Sequence, residues 1–224
     1  MPIKKENIFG GSNLGVYLAM NNSYFIHPPK INPKIVEFVK KINPNMVVIE
    51  TFIGGSAVVG SLVAMNSKGI ILPHNILDSE LEILRANMTH DFQISIIETD
   101  ANAFGNLILC NDHGAIISPK IGEAKDVISQ ALNVPVEILA FAGSNLSGSC
   151  GLANNKGVLV HPMISEDDAE IIAKVLKVEI DVSTINTGNP YLGGGAVVND
   201  YGALFGRDST GPEIQRLLEV LQIN

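Results

Sequence analysis

The chain has 224 residues, 46% of them hydrophobic, which is enough for a sizeable core in one domain. A formal charge of −8 argues against binding nucleic acid chiefly by neutralising phosphates, and 5% aromatic content with no tryptophan argues against base stacking. Two cysteines, no apolar run long enough to span a bilayer and an opening "MPIKKENIFGG" without an apolar core point to a reduced, cytosolic setting.

In chain order the sequence begins with a short strand-like "PIKKE" (2–6). "GVYLAMNNSY" (15–24) follows, then a helical stretch at 32–42 and the strand-like "NMVVIET" (45–51). The same order then recurs. "GSLVAMNSKG" (60–69) precedes a helical stretch at 78–88 and "QISIIET". "GNLILCNDHG" (105–114) precedes one at 122–132 and "VEILAFA". "GSCGLANNKG" (148–157) precedes one at 165–176 and "VEIDVSTI". The fifth copy, "GGGAVVNDYG" (193–202), is followed by a helical stretch at 211–221 and no further strand. The shared asparagines, Asn21, Asn66, Asn111, Asn154 and Asn199, are separated by 45, 45, 43 and 45 residues. A repeat of this period governs the fold before any local signal does.

Each Asn-x-x-Gly reads as a tight hairpin turn between two apolar strands, because Asn and Gly tolerate positive φ. The helical stretches carry apolar residues at three- and four-residue steps, as in Ile35, Phe38, Val39 and Ile42. Ser165 and Asp78 are expected as N-caps, and Pro33 and Pro212 fit a first helical turn. The unit is strand, hairpin, strand, helix, strand. "PIKKE" lies 45 residues ahead of "VVIET" and is in register to supply the missing strand of the fifth unit. The expected fold is α/β: a five-bladed β/α propeller forming a single domain over 1–224, helices outside, closed by the N-terminal strand. Closure removes exposed sheet edges.

Cys110 and Cys150 fall in slots that are mostly apolar in the other copies, so both read as small core residues; as strand positions three apart they would face opposite ways. His113 sits at a hairpin tip, His27 and His161 each precede a proline, and His74 and His90 flank a helix. No HxxxH, CxxC, HExxH or nucleotide-binding glycine pattern occurs, so neither a metal site nor a cofactor is expected. Gly15, Gly60, Gly105, Gly148 and Gly193 share one slot, which suggests close backbone approach near the axis. The next slot holds Val16, Ser61, Asn106, Ser149 and Gly194, three adjacent copies of which are polar. Small polar residues at one ring end suit protein docking; Asn106 could instead satisfy backbone groups at a strand start.

The ring of repeats, with "GGSAVVGSLVAMNSKGIILP", "GNLILCNDHGAIISP", "CGLANNKGVLVHP" and "GGGAVVNDYGALFG", resembles the translation initiation factor six family over nearly the whole chain. The resemblance implies a pentein fold and a non-enzymatic ribosome anti-association role. It implies binding to the intersubunit face of the large ribosomal subunit, chiefly to basic ribosomal proteins with little direct nucleic acid, by a cytoplasmic monomer. The chain lacks the C-terminal tail of eukaryotic members and so looks archaeal. Carried over by position, the large-subunit contact includes Gly105, Asn106 and Ser61; their slots add Gly60, Val16 and Ser149. The competing expectation is a pentein guanidino-modifying enzyme. It would use Cys110 or Cys150 with His113 or His161, and Glu98 or Asp100 to hold a guanidinium.

Overall fold

The structure, a computed structural model, describes residues 2–223; the two ends of the expected 1–224 domain lie outside the described residues. Strand β1 (Ile3–Glu6) opens the chain. The first repeat comprises a one-turn helix α1 (Leu14–Tyr17), strands β2 (Ala19–Met20) and β3 (Tyr24–His27), helix α2 (Pro33–Ile42) and strand β4 (Val47–Glu50). The second has α3 (Val59–Leu62), β5 (Ala64–Met65), β6 (Gly69–Pro73), α4 (Asp78–Asn87) and β7 (Gln93–Ile97). The third has α5 (Phe104–Leu107), β8 (Ile108–Cys110), β9 (Ala115–Ile117), a 3-10 helix Pro119–Ala124 running into α6 (Lys125–Leu132), and β10 (Val136–Ile138). The fourth has β11 (Gly151–Ala153), β12 (Gly157–Val160), α7 (Glu166–Leu176) and β13 (Glu179–Val182). The fifth has α8 (Leu192–Gly195), β14 (Ala196–Val198), β15 (Ala203–Gly206) and α9 (Gly211–Val220).

Five three-stranded sheets result, each an antiparallel hairpin plus one parallel strand. The central strands β3, β6, β9, β12 and β15 are buried along their whole length. A strand with a neighbour on each edge and packing on both faces reads as a continuous apolar run, as these do. β1 pairs in parallel with β15, Ile3 against Ala203 through Glu6 against Gly206, so the N-terminal strand closes the ring as the 45-residue register predicts.

The long helices cover the sheets with one apolar face. α2 buries Ile35, Phe38 and Val39; Asn32 caps it by accepting from the Lys34 N–H at 3.1 Å, and Pro33 fills its first turn. Ser165 caps α7 through the Asp168 N–H, as expected. Asp78 is not a cap: Leu77 holds that position, and the Glu80 carboxylate, three residues on, accepts the Leu77 N–H at 3.0 Å. The third long helix starts at Lys125 rather than 122, its lead-in wound as 3-10.

Two further local readings are corrected. The glycine at the head of each ten-residue pattern does not start a strand. In four repeats it lies in a one-turn helix, and in the fourth Gly148 lies in a turn before β11. A helical turn rises about 1.5 Å per residue against about 3.3 Å in a strand, which lets five backbones stay gathered at the axis. Cys150 is therefore outside the strand, and strand alternation does not separate it from Cys110. The Asn-x-x-Gly residues, moreover, do not have positive φ. Their identities have other causes, in contacts between blades.

Candidate functional site

Two rings of identical residues surround the axis. The first is made by the asparagines. Each Nδ2 donates to the backbone carbonyl of the next asparagine round the ring. Asn21 donates to Asn66 (2.6 Å), Asn66 to Asn111 (3.2 Å), Asn111 to Asn154 (3.1 Å), Asn154 to Asn199 (3.3 Å) and Asn199 back to Asn21 (3.1 Å). Each Oδ1 accepts two N–H groups of its own turn, as Asn111 does from His113 and Gly114. In the middle three copies Nδ2 also bonds a helix end, the carbonyls of Leu132, Leu176 and Leu221, each at 2.9 Å. All five asparagines are buried, and this network satisfies them. The turn glycines leave room for a neighbour: a Cβ at Gly69, Gly114 or Gly157 would overlap the carbonyl of Ala131, Val175 or Val220 near the end of a neighbouring helix.

The second ring is made by the glycines. A Cβ on Gly15 would overlap the carbonyl of Gly193, and likewise Gly60 that of Gly15, Gly105 that of Gly60, Gly148 that of Gly105 and Gly193 that of Gly148. The circuit closes, so glycine at this slot is a requirement of backbone approach at the axis. Between the two rings runs an axial cavity of about 120 Å³, walled by these glycines and by Leu18, Val63, Ile108 and Ala196.

The rings mark opposite ends of the molecule. Central and third strands begin at the asparagine end and run to the glycine end, where the long helices start. The glycine end exposes large apolar side chains: Phe9 (52%), Phe52 (40%), Leu77 (51%), Met163 (77%) and Tyr191 (43%). Exposed carboxylates there, Glu50, Asp78, Glu98, Asp100, Glu123, Glu166, Asp167 and Asp208, outnumber the cations Lys5, Lys30, Lys34, Lys120 and Arg207. The asparagine end carries exposed Lys40, Lys41, Lys68, Arg85, Lys156, Lys174 and Lys177, against exposed Asp91, Glu179 and Glu219, and one exposed aromatic, Tyr201 (52%).

The residues singled out from sequence all lie at the glycine end, with unequal exposure. Ser61 is buried, at 9%. Gly60, Gly105, Val16 and Ser149 are half-buried. Asn106 is half-buried, and its Oδ1 accepts the Ser149 hydroxyl at 3.2 Å. The Asn106 backbone carbonyl accepts the N–H groups of Gly148 (3.0 Å) and Ser149 (3.2 Å). Its side chain thus satisfies no backbone group, and its Nδ2 donates to no protein atom among the described residues. The five exposed apolar residues were not singled out from sequence. For Phe9 a signal exists: aligning the turns "IFGG" (8–11), "IGGS" (53–56) and "FAGS" (141–144) leaves Phe9 where other copies have Gly54 or Ala142.

The cysteines are poorly placed for nucleophilic chemistry. Cys110 borders the axial cavity and donates to the Met65 carbonyl at 3.5 Å. Burial, seconded by the Asp112 charge and only partly offset by the Met65 contact, pushes its thiol up to about 12. Roughly one part in 10⁵ is thiolate at pH 7. Cys150 is fully buried and its pKa is also raised by burial, against a lowering contact from Ser144. His161 is a main-chain neighbour of Cys150, but its Nδ1 accepts the Met163 N–H at 3.1 Å. His27 is buried with Nδ1 on the Pro28 carbonyl at 2.9 Å. His113 is half-buried at its hairpin tip. Glu98 and Asp100 lie at the glycine end, outside the walls of the axial cavity. Among the described residues no group of three His, Cys, Asp or Glu could hold a metal ion, and no helix is long and apolar enough to cross a membrane.

A closed ring of five such repeats is the pentein fold. Dimethylarginine dimethylaminohydrolase superposes with a TM-score of 0.55 at 11% identity, covering 82% of this chain and 71% of that one. The Pseudomonas aeruginosa enzyme complexed with citrulline gives 0.52 at 12% identity, covering 77% and 70%. At that identity the likeness shows the fold alone. Sequence comparison is more specific: residues 3–220 match the eIF-6 family, and the chain belongs to that family. It is 35% identical over 215 residues to translation initiation factor 6 of Pyrobaculum arsenaticum, 96% of each chain. It is 33% identical over 223 residues to that of Saccharolobus islandicus, 99% of each. Against eukaryotic translation initiation factor 6 of Sordaria macrospora it is 34% identical over 218 residues, 96% of this chain and 89% of the relative.

Proposed function

We propose that this chain is a cytoplasmic, non-enzymatic translation initiation factor that docks, as a monomer, onto the intersubunit face of the large ribosomal subunit. Its bulk then prevents premature association with the small subunit, and the same contact serves large-subunit maturation. The docking end is the glycine end, around Ser61, Gly105 and Asn106, with Gly60, Val16 and Ser149 beside them. One observation carries the choice of end: five large apolar side chains stand exposed there among an excess of carboxylates. Apolar anchors supply interface energy, and an acidic rim suits basic ribosomal proteins better than rRNA phosphates. Ser61 is buried and offers a partner little surface of its own, whereas Asn106 presents the free amide.

The test is sucrose-gradient sedimentation of purified subunits with and without the protein. The expected result is co-migration with large subunits and a smaller joined-ribosome peak. Joining at the same yield with the protein in excess overturns the proposal.

A further inference from the structure

Four of the turns leading into the glycine ring form tight bridged hairpins with consecutive positive φ at the tip. These are Phe9 (47°) and Gly10 (83°), Gly54 (59°) and Gly55 (72°), Ala142 (54°) and Gly143 (70°), and Asn186 (51°), Thr187 (61°) and Gly188 (98°). Successive backbone N–H groups of a turn form a concavity that suits an anion. Two of the four show what it takes. The Gly54 and Gly55 N–H groups donate to the Glu80 carboxylate at 2.6 and 2.8 Å, and those of Thr187 and Gly188 to the Glu213 carboxylate at 3.3 and 2.9 Å. Both glutamates hold the third position of the long helix in their own repeat, α4 and α9.

The other two turns have no such partner. In the first repeat the third position of α2 is Ile35, a buried core residue, and the Phe9 and Gly10 N–H groups donate to no protein atom among the described residues. In the fourth repeat the third position of α7 is Asp168, one methylene shorter than glutamate, and the Ala142 and Gly143 N–H groups likewise find no protein acceptor among the described residues. Charge separates these two. α7 opens with Glu166, Asp167 and Asp168, which repel a second anion. The strand ends beside turn 8–11 carry Lys4, Lys5 and Arg207 against Glu6 and Asp208. Phe9, Gly10 and Gly11 are all exposed, so a group from outside can reach the N–H pair.

We propose that turn 8–11 receives a carboxylate, the side chain of an aspartate or glutamate of the protein partner, on the Phe9 and Gly10 N–H groups. Glu80 and Glu213 make the same contact from within the chain in the sibling turns, which favours a carboxylate over an rRNA phosphate. The proposal rests on the docking reading above and adds one acidic contact to a mainly basic partner surface.

Gly11 gives access to the test. Ser56 and Ser144 hold its place in sibling turns, and a Cβ there would meet only the Ile8 carbonyl, at 3.9 Å. Gly11→Asn, Gly11→Asp and Gly11→Lys are therefore expected to melt within about 2 °C of the parent. In cosedimentation with purified large ribosomal subunits over a protein titration, Gly11→Asp sets a negative charge beside the N–H pair. It is expected to bind about tenfold more weakly than the neutral Gly11→Asn, the worth of one charged hydrogen bond. Gly11→Lys, treated with a water-soluble carbodiimide while bound, is expected to couple its amine to an acidic side chain of a ribosomal protein, identified by mass spectrometry. Equal binding by Gly11→Asp and Gly11→Asn overturns the proposal. Weakened binding by Gly11→Asp with no coupling at residue 11 assigns the anion to an rRNA phosphate and overturns the carboxylate. If the parent itself fails to cosediment, the docking reading falls first, and this contact with it.

Discussion

Asn111 spends every hydrogen-bonding capacity of its amide on structure: two N–H groups of its own turn on Oδ1, and the carbonyls of Asn154 and Leu176 on Nδ2. Asn111→Ala therefore orphans two turn N–H donors, that of Gly114 buried and that of His113 part-buried, and two buried acceptors, at about 1–3 kcal/mol for a buried group left without a partner. A loss of roughly 3 kcal/mol or more is expected in denaturant unfolding. Asn111→Asp separates the two halves of the role. The carboxylate still accepts from the turn but cannot donate, and it faces two carbonyls. It should be nearly as damaging at pH 7 and partly recover as the pH is lowered and the carboxyl is protonated. An Asn111→Asp protein as stable as the parent at pH 7 would show that the inter-blade donor is unimportant. Tyr24 shows the same scale from the other side. It replaces the turn glycine of the first copy, and its hydroxyl accepts the Thr89 N–H at 3.0 Å, so the irregular copy is accommodated by a specific contact.

Among elements, β1 has the most consequence for its length. It supplies the parallel partner of β15, and Pro2 accepts the N–H of Ala203 at 2.9 Å. Lys5 bonds the Ser209 carbonyl and Glu6 pairs with Arg207. Removing residues 1–8 would bare an edge of β15 and open the ring. The truncated chain is expected to lose its cooperative melting transition; a transition matching the parent's would show that closure contributes nothing. The repeat spacing located this strand, because register propagates through identical units. The one-turn helices were not legible: four residues are too few to display a 3.6-residue period, so the apolar run they begin reads as strand.

At the scale of the molecule, charge is distributed by end: exposed carboxylates outnumber cations at the glycine end and exposed cations outnumber carboxylates at the asparagine end, while the exposed aromatics, Tyr201 excepted, stand at the glycine end. Helix direction contributes, since acids favour helix N-termini and cations C-termini. The consequence is an oriented molecule whose acidic end is drawn to a basic partner. Asn106→Arg at the centre of that end should cost about 2 kcal/mol of binding, roughly a thirtyfold loss. Melting should stay near the parent's, because the side chain bonds only the Ser149 hydroxyl. Lys68→Glu is the control at the far end. Lys156 is less suitable, because its Nζ bonds the carbonyls of Asp200 and Gln222. Parent-like cosedimentation of Asn106→Arg would move the docking face elsewhere, and unfolding would make Asn106 structural.

The number of blades, their order and the closure by residues 2–6 were legible before any packing was known, because each is a statement about period and register, which a linear chain carries on its own. The sequence also marked the two slots, Gly and Asn, that later proved to line the axis. What those slots do was decided only in three dimensions. The asparagines join five blades through carbonyls 43 or 45 residues away in four cases and 178 in the fifth. The glycines yield to backbone that no local window contains. The burial of Ser61, the free amide of Asn106 and the strained, exposed Phe9 likewise depend on which end of the ring a residue reaches and what stands beside it, and these are properties of packing rather than of pattern.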